Sequence, residues 1–186
     1  MKYKLIEQSF AYDGTQLKSL FAYMNYGLLG DSIVSWTGPC NISFDHMVDG
    51  EDLLANAEIR GSDMLHFIVE KFGCDLYTGV CLQRLLSAIA HETLLETSKK
   101  AQGLTRSGDD LFLGDQKLSI SIATSSPVSS LIHFALNISN EGTPVKTLSL
   151  KDLEVDPQNF SKEIGKRFCK ELEEIDQARC KVKWVP

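Results

Sequence analysis

A lysine, a histidine and an asparagine recur among small residues in two segments that alternate as β-strands do. In residues 117–123 and again in 132–138, every second position is a large apolar residue. If the two strands are neighbours with their apolar faces in one core, the opposite face offers room and polar groups for a small ligand. The residues expected on that face are Lys117, Ser119, Ser121, Ala123, His133 and Asn137.

The pattern alone also fits a simpler interpretation. Any antiparallel sheet with one solvated face shows this alternation, and Lys117 would then be a surface lysine. Other motifs fail: the pair His91-Glu92 lacks the second histidine of a zinc-protease helix, because Leu95 stands there.

Composition narrows the classes of function. The chain has 186 residues and a net charge of -6, with scattered lysines and arginines, which indicates one domain over residues 1–186 and no nucleic-acid partner. Five cysteines without a C-x-x-C pair indicate reduced thiols in a cytoplasmic protein. No apolar run is long enough for a bilayer, so we expect no membrane association.

The elements that must position these residues alternate between strand and helix patterns. Strands are expected at residues 2–8, 31–36, 63–70, 111–113, 117–123, 132–138 and 181–185, and helices at 49–57, 76–99 and from Pro157 onward. Residues 15–26 are expected to form a helix or a turn-rich segment. This order predicts an α+β fold, with a mixed and largely antiparallel sheet flanked by helices.

The same residues carry a resemblance to known enzymes. The lysine strand and the sequence His133-Phe-Ala-Leu-Asn137 resemble two strands of lipoyl and octanoyl transferases, and Asp109-Asp110 followed by Lys117 resembles a segment of biotin and lipoate protein ligases. Arg60-Gly61 falls in the order those enzymes use. Nearly the whole chain is similar to a family of short, largely archaeal proteins of uncharacterised function that is grouped with the biotin/lipoate ligase fold.

The resemblance implies roles for individual residues. Lys117 would contact an acyl carbonyl or acyl-adenylate, where an ammonium stabilises developing negative charge. His133, Asn137, Ser119, Ser121, Ala123 and Arg60 would border the substrate. Asp109 and Asp110 would lie near ATP and could hold Mg²⁺.

The chain also departs from those enzymes. Phe134 replaces a glycine after the histidine, no adenylate loop rich in glycine and arginine is visible, and no cysteine lies between Lys117 and Phe168. Cys40, expected at a strand end, is the better candidate nucleophile.

Two functions from different classes follow. One is an acyl-transfer or acid-activating enzyme that uses a small carboxylic acid or acyl donor and an acceptor protein. The other is a binding or regulatory module that keeps the pocket without the chemistry. RNA binding is a third hypothesis, which the net negative charge of the chain disfavours. The oligomeric state stays open.

Overall fold

A computed structural model describes residues 1–141 and 146–185. The strands in chain order are β1 Lys2–Leu5, β2 Ser32–Ile42, β3 Ile59–Phe72, β4 Leu104–Ser107, β5 Asp110–Leu113, β6 Gln116–Lys117, β7 Ser119–Ser125 and β8 Ser129–Asn137. The helices are α1 Phe21–Tyr26, α2 Gly50–Ala55, α3 Leu76–Thr97 and α4 Pro157–Cys180, with one-turn 3-10 helices at Phe44–His46 and Lys99–Ala101.

The main sheet has five strands in the order β1-β2-β3-β8-β7. The pair of β1 and β2 is parallel, and every other neighbouring pair is antiparallel. A second sheet of β4, β5 and β6 runs into β7 through the single residue Leu118. The predicted α+β fold, with a mixed and largely antiparallel sheet flanked by helices, is confirmed.

Each face of the main sheet has its own apolar core. Helices α3 and α4 cover one face, where Phe67 and Phe134 of the central strands meet Leu86 of α3 and Phe168 of α4. The other face carries a smaller cluster around Trp36, with Met64, Ile68, Tyr12 and Phe21. Because the central strands β3 and β8 have apolar residues on both faces, they are buried along most of their length.

Of residues 15–26, predicted as a helix or a turn-rich segment, the first part forms turns and only Phe21–Tyr26 is helical. Leu20 takes a left-handed backbone conformation, with φ of 64°. Its N–H donates to both carboxylate oxygens of the buried Glu70, at 3.0 and 2.9 Å. Since this backbone group is bound from β3, the chain cannot continue as helix through Leu20.

The strand predicted at residues 181–185 is wrong. Helix α4 is 24 residues long, and its last buried residue is Leu172. Its final turns therefore run beyond the core, and residues 181–185 are exposed and form no strand, with Trp184 74% exposed. Among the described residues, no helix is both long and apolar enough to cross a membrane.

Candidate functional site

A cavity of about 530 Å³ opens on the Trp36 side of the main sheet. Strands β7 and β8 form one wall, the β5–β6 hairpin a second, and the segment from Ile42 to Arg60 a third. The wall includes Tyr12, His46, Asp49, Glu51, Asp52, Glu58, Arg60, Asp109, Asp110, Lys117, Ser119, Ile120, Ser121, Ile122, His133 and Asn137. Most residues predicted from the two strands thus border one space of a size usual for small-molecule sites.

Lys117 is held at this cavity by a carboxylate. It ends β6, opposite Phe112 of β5, and its Nζ lies 2.7 Å from Oδ2 of Asp110. Burial raises the pKa of Asp110, although the lysine opposes this shift. The pKa of Asp52 is also raised, by burial and by the charge of Asp49. The positive charge of Lys117 therefore favours the ionised forms of both Asp110 and Asp52.

Asp109 is occupied by other groups. Its side chain accepts a hydrogen bond from Nε2 of Gln83 at 2.8 Å and lies 3.4 Å from Nη1 of Arg84. Its backbone carbonyl accepts from Ser87 at 2.8 Å. Both carboxylates of the predicted metal pair thus face protein cations, and no three potential metal-ligating side chains cluster within the described ranges. The role of this pair in holding Mg²⁺ stays a prediction.

The register of β7 and β8 differs from the expected one. Ile120 is directly opposite Ala135, and Ile122 is opposite His133. Opposed residues of an antiparallel pair have their side chains on the same face. The isoleucines, and not the small residues between them, therefore share the face of His133.

The expected positions of Ser119, Ser121 and Ala123 are accordingly wrong. The Ser119 hydroxyl accepts from the backbone N–H of Leu111 at 3.0 Å, and the Ser121 hydroxyl accepts from Gln83 at 2.9 Å. Ala123 packs in the core beneath α3. The cause is the break between β6 and β7, where the buried Leu118 interrupts the alternation. Both serines still border the cavity, but their hydroxyls bond to the protein.

The Asn137 side-chain amide bonds to neighbouring backbone segments, so its N–H groups are not directed at a ligand. Its Nδ2 donates to the carbonyls of Lys117 and Leu148, at 3.3 and 3.1 Å. These bonds fix the end of β8 against the residue that carries the ammonium. Arg60 lies on the opposite wall, where its Nη2 is 3.1 Å from Oε1 of Glu58 and its side chain is largely exposed.

Cys40 lies outside the cavity wall in the structure. It is 2% exposed, within β2, and packs in the Trp36 cluster. Burial raises the pKa of its thiol to about 12. A thiol that stays protonated near neutral pH is a poor nucleophile.

His133 belongs to a buried pair of histidines. Its Nε2 lies 3.1 Å from Nδ1 of His66, whose Nε2 lies 3.1 Å from the carbonyl oxygen of Gly38. Tyr12 stacks on the His133 ring, with centroids 3.7 Å apart and planes 12° apart. His66 and Tyr12 were not among the predicted site residues, since each reads as an ordinary member of an apolar segment.

The fold is that of biotin and lipoate protein ligases. The chain superposes on biotin protein ligase from Aquifex aeolicus in complex with biotin and ATP with a TM-score of 0.60 and 12% identity, covering 94% of this chain and 72% of that one. It superposes on a putative lipoate protein ligase from T. acidophilum with bound lipoic acid with a TM-score of 0.56 and 12% identity, covering 93% and 87%.

The chain belongs to the family described as domain of unknown function DUF366, whose model matches residues 1–183. An uncharacterized protein of Methanocaldococcus jannaschii is 34% identical over 173 residues, or 89% of this chain and 77% of the relative. A protein of unknown function from Pyrococcus horikoshi superposes with a TM-score of 0.91 and 40% identity over the whole of both chains. The resemblance to archaeal proteins of this family and fold is thus confirmed.

Proposed function

We propose that this protein activates a small carboxylic acid as an acyl-adenylate and passes the acyl group to an acceptor protein. The observation that carries the proposal is Lys117, whose ammonium borders a ligand-sized cavity and is held there by Asp110. A similar fold binds biotin and ATP in one structure and lipoic acid in another. Unpaired cysteines fit a cytoplasmic setting.

In the proposed reaction, a carboxylate oxygen of the acid attacks the α-phosphorus of ATP, and pyrophosphate leaves. Lys117 would exchange Asp110 for the acid or the α-phosphate and stabilise the charge that develops there. This route is favoured over a cysteine-linked acyl enzyme because no cysteine lines the cavity within residues 1–141 and 146–185.

The test is pyrophosphate release from ATP and Mg²⁺ with biotin, lipoic acid and octanoic acid. At least one acid should support release, and Lys117→Met should lower the rate by about a hundredfold or more, as expected for a lost electrostatic contact. Lys146→Met is the matched control, since Lys146 pairs with the exposed Asp115 outside the cavity. The proposal fails if no acid supports release, or if both variants keep the full rate.

The second candidate is a module that binds a small molecule without turnover. The charge of the cavity wall favours this candidate, because acidic residues outnumber the lysine and arginine there. The acidic residues are Asp49, Glu51, Asp52, Glu58, Asp109 and Asp110, and the basic ones are Arg60 and Lys117. This excess of carboxylates would repel the phosphates of an unescorted nucleotide. A rise in melting temperature with an acid, without pyrophosphate release, would support this candidate.

A further inference from the structure

The buried histidine pair, of which His133 borders the cavity and His66 lies behind it, has a defined hydrogen-bond direction. The carbonyl oxygen of Gly38 can only accept, so Nε2 of His66 carries a proton and donates to it. In a neutral ring the other nitrogen is then an acceptor. Nδ1 of His66 must therefore accept from Nε2–H of His133, 3.1 Å away.

Burial keeps both rings neutral. His66 is fully buried, and desolvation lowers its pKa to about 4. The pKa of His133 is also held well below its usual value, first by burial and then by the neighbouring His66. Each ring thus holds one proton, and the Gly38 carbonyl determines where both protons sit.

Nδ1 of His133 is then a bare acceptor. No described residue bonds to it, while Nε2 is bound to His66 and the ring face is covered by Tyr12. Among the described residues, no fully buried side-chain nitrogen or oxygen lacks a partner. Since Nδ1 has no protein partner, it is not one of these fully buried atoms, and because His133 lines the cavity, the cavity is the space to which Nδ1 is open. Leaving such a nitrogen against an apolar ligand group would weaken binding by roughly tenfold or more.

We propose that the ligand of this cavity carries an N–H or O–H group that donates a hydrogen bond to Nδ1 of His133. The carboxylate end of the substrate rests on the proposed function, whereas the hydrogen-bond donor at the other end rests on His133 alone. Together the two requirements define the substrate class. The substrate is a carboxylic acid whose far end bears a hydroxyl, amide or cyclic urea, and not a bare hydrocarbon chain.

The separation of the two groups supports an elongated ligand. Ile122 is opposite His133, and it lies five positions after Lys117 in the chain. At about 3.3 Å per residue this spans at most roughly 16 Å along the strand. We therefore choose probes with a chain of eight carbons, which is shorter than this upper bound.

The direct test is the tautomer of His133 in the unmodified protein. Long-range ¹H–¹⁵N correlation spectra distinguish protonated from bare ring nitrogens. We expect a bare Nδ1 and a protonated Nε2 on His133, and a shift of the Nδ1 resonance when 8-hydroxyoctanoic acid is added. A protonated Nδ1 on His133 overturns the inference.

Binding measured by calorimetry tests the ligand class with matched probes. We expect 8-hydroxyoctanoic acid to bind at least about tenfold more tightly than octanoic acid or 8-methoxyoctanoic acid, which cannot donate at that end. His133→Phe keeps the ring stack and should remove the preference. His91→Phe, on α3 and outside the cavity, should retain it.

The outcomes separate this inference from the proposed function. Equal binding of the three acids, or no movement of the Nδ1 resonance with any hydroxyl-bearing probe, overturns the inference. If 1-octanol shifts that resonance while no acid binds or supports pyrophosphate release, the inference holds and the proposed function fails. The spectra are recorded on the unmodified protein, so they test the inference even if His133→Phe does not fold.

Discussion

Replacing Lys117 should make stability depend on pH through Asp110. In Lys117→Met, the carboxylate keeps its half-buried position but loses the ammonium at 2.7 Å. At that distance, and with an effective dielectric constant of about 20, the lost attraction is about 6 kcal/mol before the gain from rehydration is subtracted. Side-chain exposures of 35% and 27% put the pair between surface and buried cases, so we expect a net loss of about 2 kcal/mol at pH 7.

The pH dependence has a definite sign. Burial already raises the pKa of Asp110 above its ordinary value, and loss of the lysine raises it further. Stability from a group with a raised folded-state pKa is present below the unfolded pKa and is lost as pH rises through the folded one. The deficit of Lys117→Met should therefore be small near pH 4 and full at pH 7–8.

Urea denaturation of four proteins measures this effect: the parent, Lys117→Met, Asp110→Asn and the double variant, each at several pH values. Asp110→Asn should restore most of the stability lost in Lys117→Met, because no buried charge then remains. A deficit that is the same at pH 4 and pH 8, or no recovery in the double variant, would refute the account of this ion pair.

Further predictions concern the rest of the fold. Cys40 should resist iodoacetamide at pH 7 in the folded protein while the exposed Cys81 reacts, because burial raises the Cys40 pKa to about 12; peptide mass spectrometry after labelling decides this. Gly38→Ala should lower the unfolding free energy by about 2–3 kcal/mol in urea, because its Cβ would lie 2.1 Å from the carbonyl oxygen of Phe10. Arg167→Ala should cost less than about 1 kcal/mol, and less still in high salt, since its two glutamate partners form a solvent-screened network between α3 and α4.

Much of the fold could be predicted from periodicity. The stripe Phe160, Ile164, Phe168 and Leu172 is buried as expected of an amphipathic helix, and Pro157 stands in its first turn after the capping Asp156. The long helix before the hairpin was predicted at 76–99 and runs to Thr97. These helices can be predicted because the spacing of their apolar residues and their capping residues are both visible in the local sequence.

The errors lie where a distant contact decides the local structure. Leu20 leaves the helix because Glu70, 50 residues away, binds its N–H. Strand β4 has one buried residue, Leu104, and its pairing with β5 gives it a structure that its own pattern does not suggest. Such contacts have no signal in the spacing of a single segment.

The sequence pattern predicts the position of the cavity better than it predicts which side chains face it. Lys117, His133 and Asn137 do border one cavity, as their alternation suggested. The face of Ser119, Ser121 and Ala123 was wrong because one buried residue, Leu118, breaks the strand and changes which side chains point inward. His66 could be found only from the fold, since its contact with the site is a hydrogen bond to a histidine 67 positions away.

The proposed activity is the activation of a carboxylic acid in the cavity at Lys117. Mass spectrometry of the small molecules formed from ATP, Mg²⁺ and the acid panel tests it most directly, because an acyl-adenylate has a unique mass. We expect an acyl-adenylate with the parent protein and with Lys146→Met, and none above background with Lys117→Met. Absence of any acyl-adenylate with the parent protein, or equal amounts with Lys117→Met, would contradict the claim.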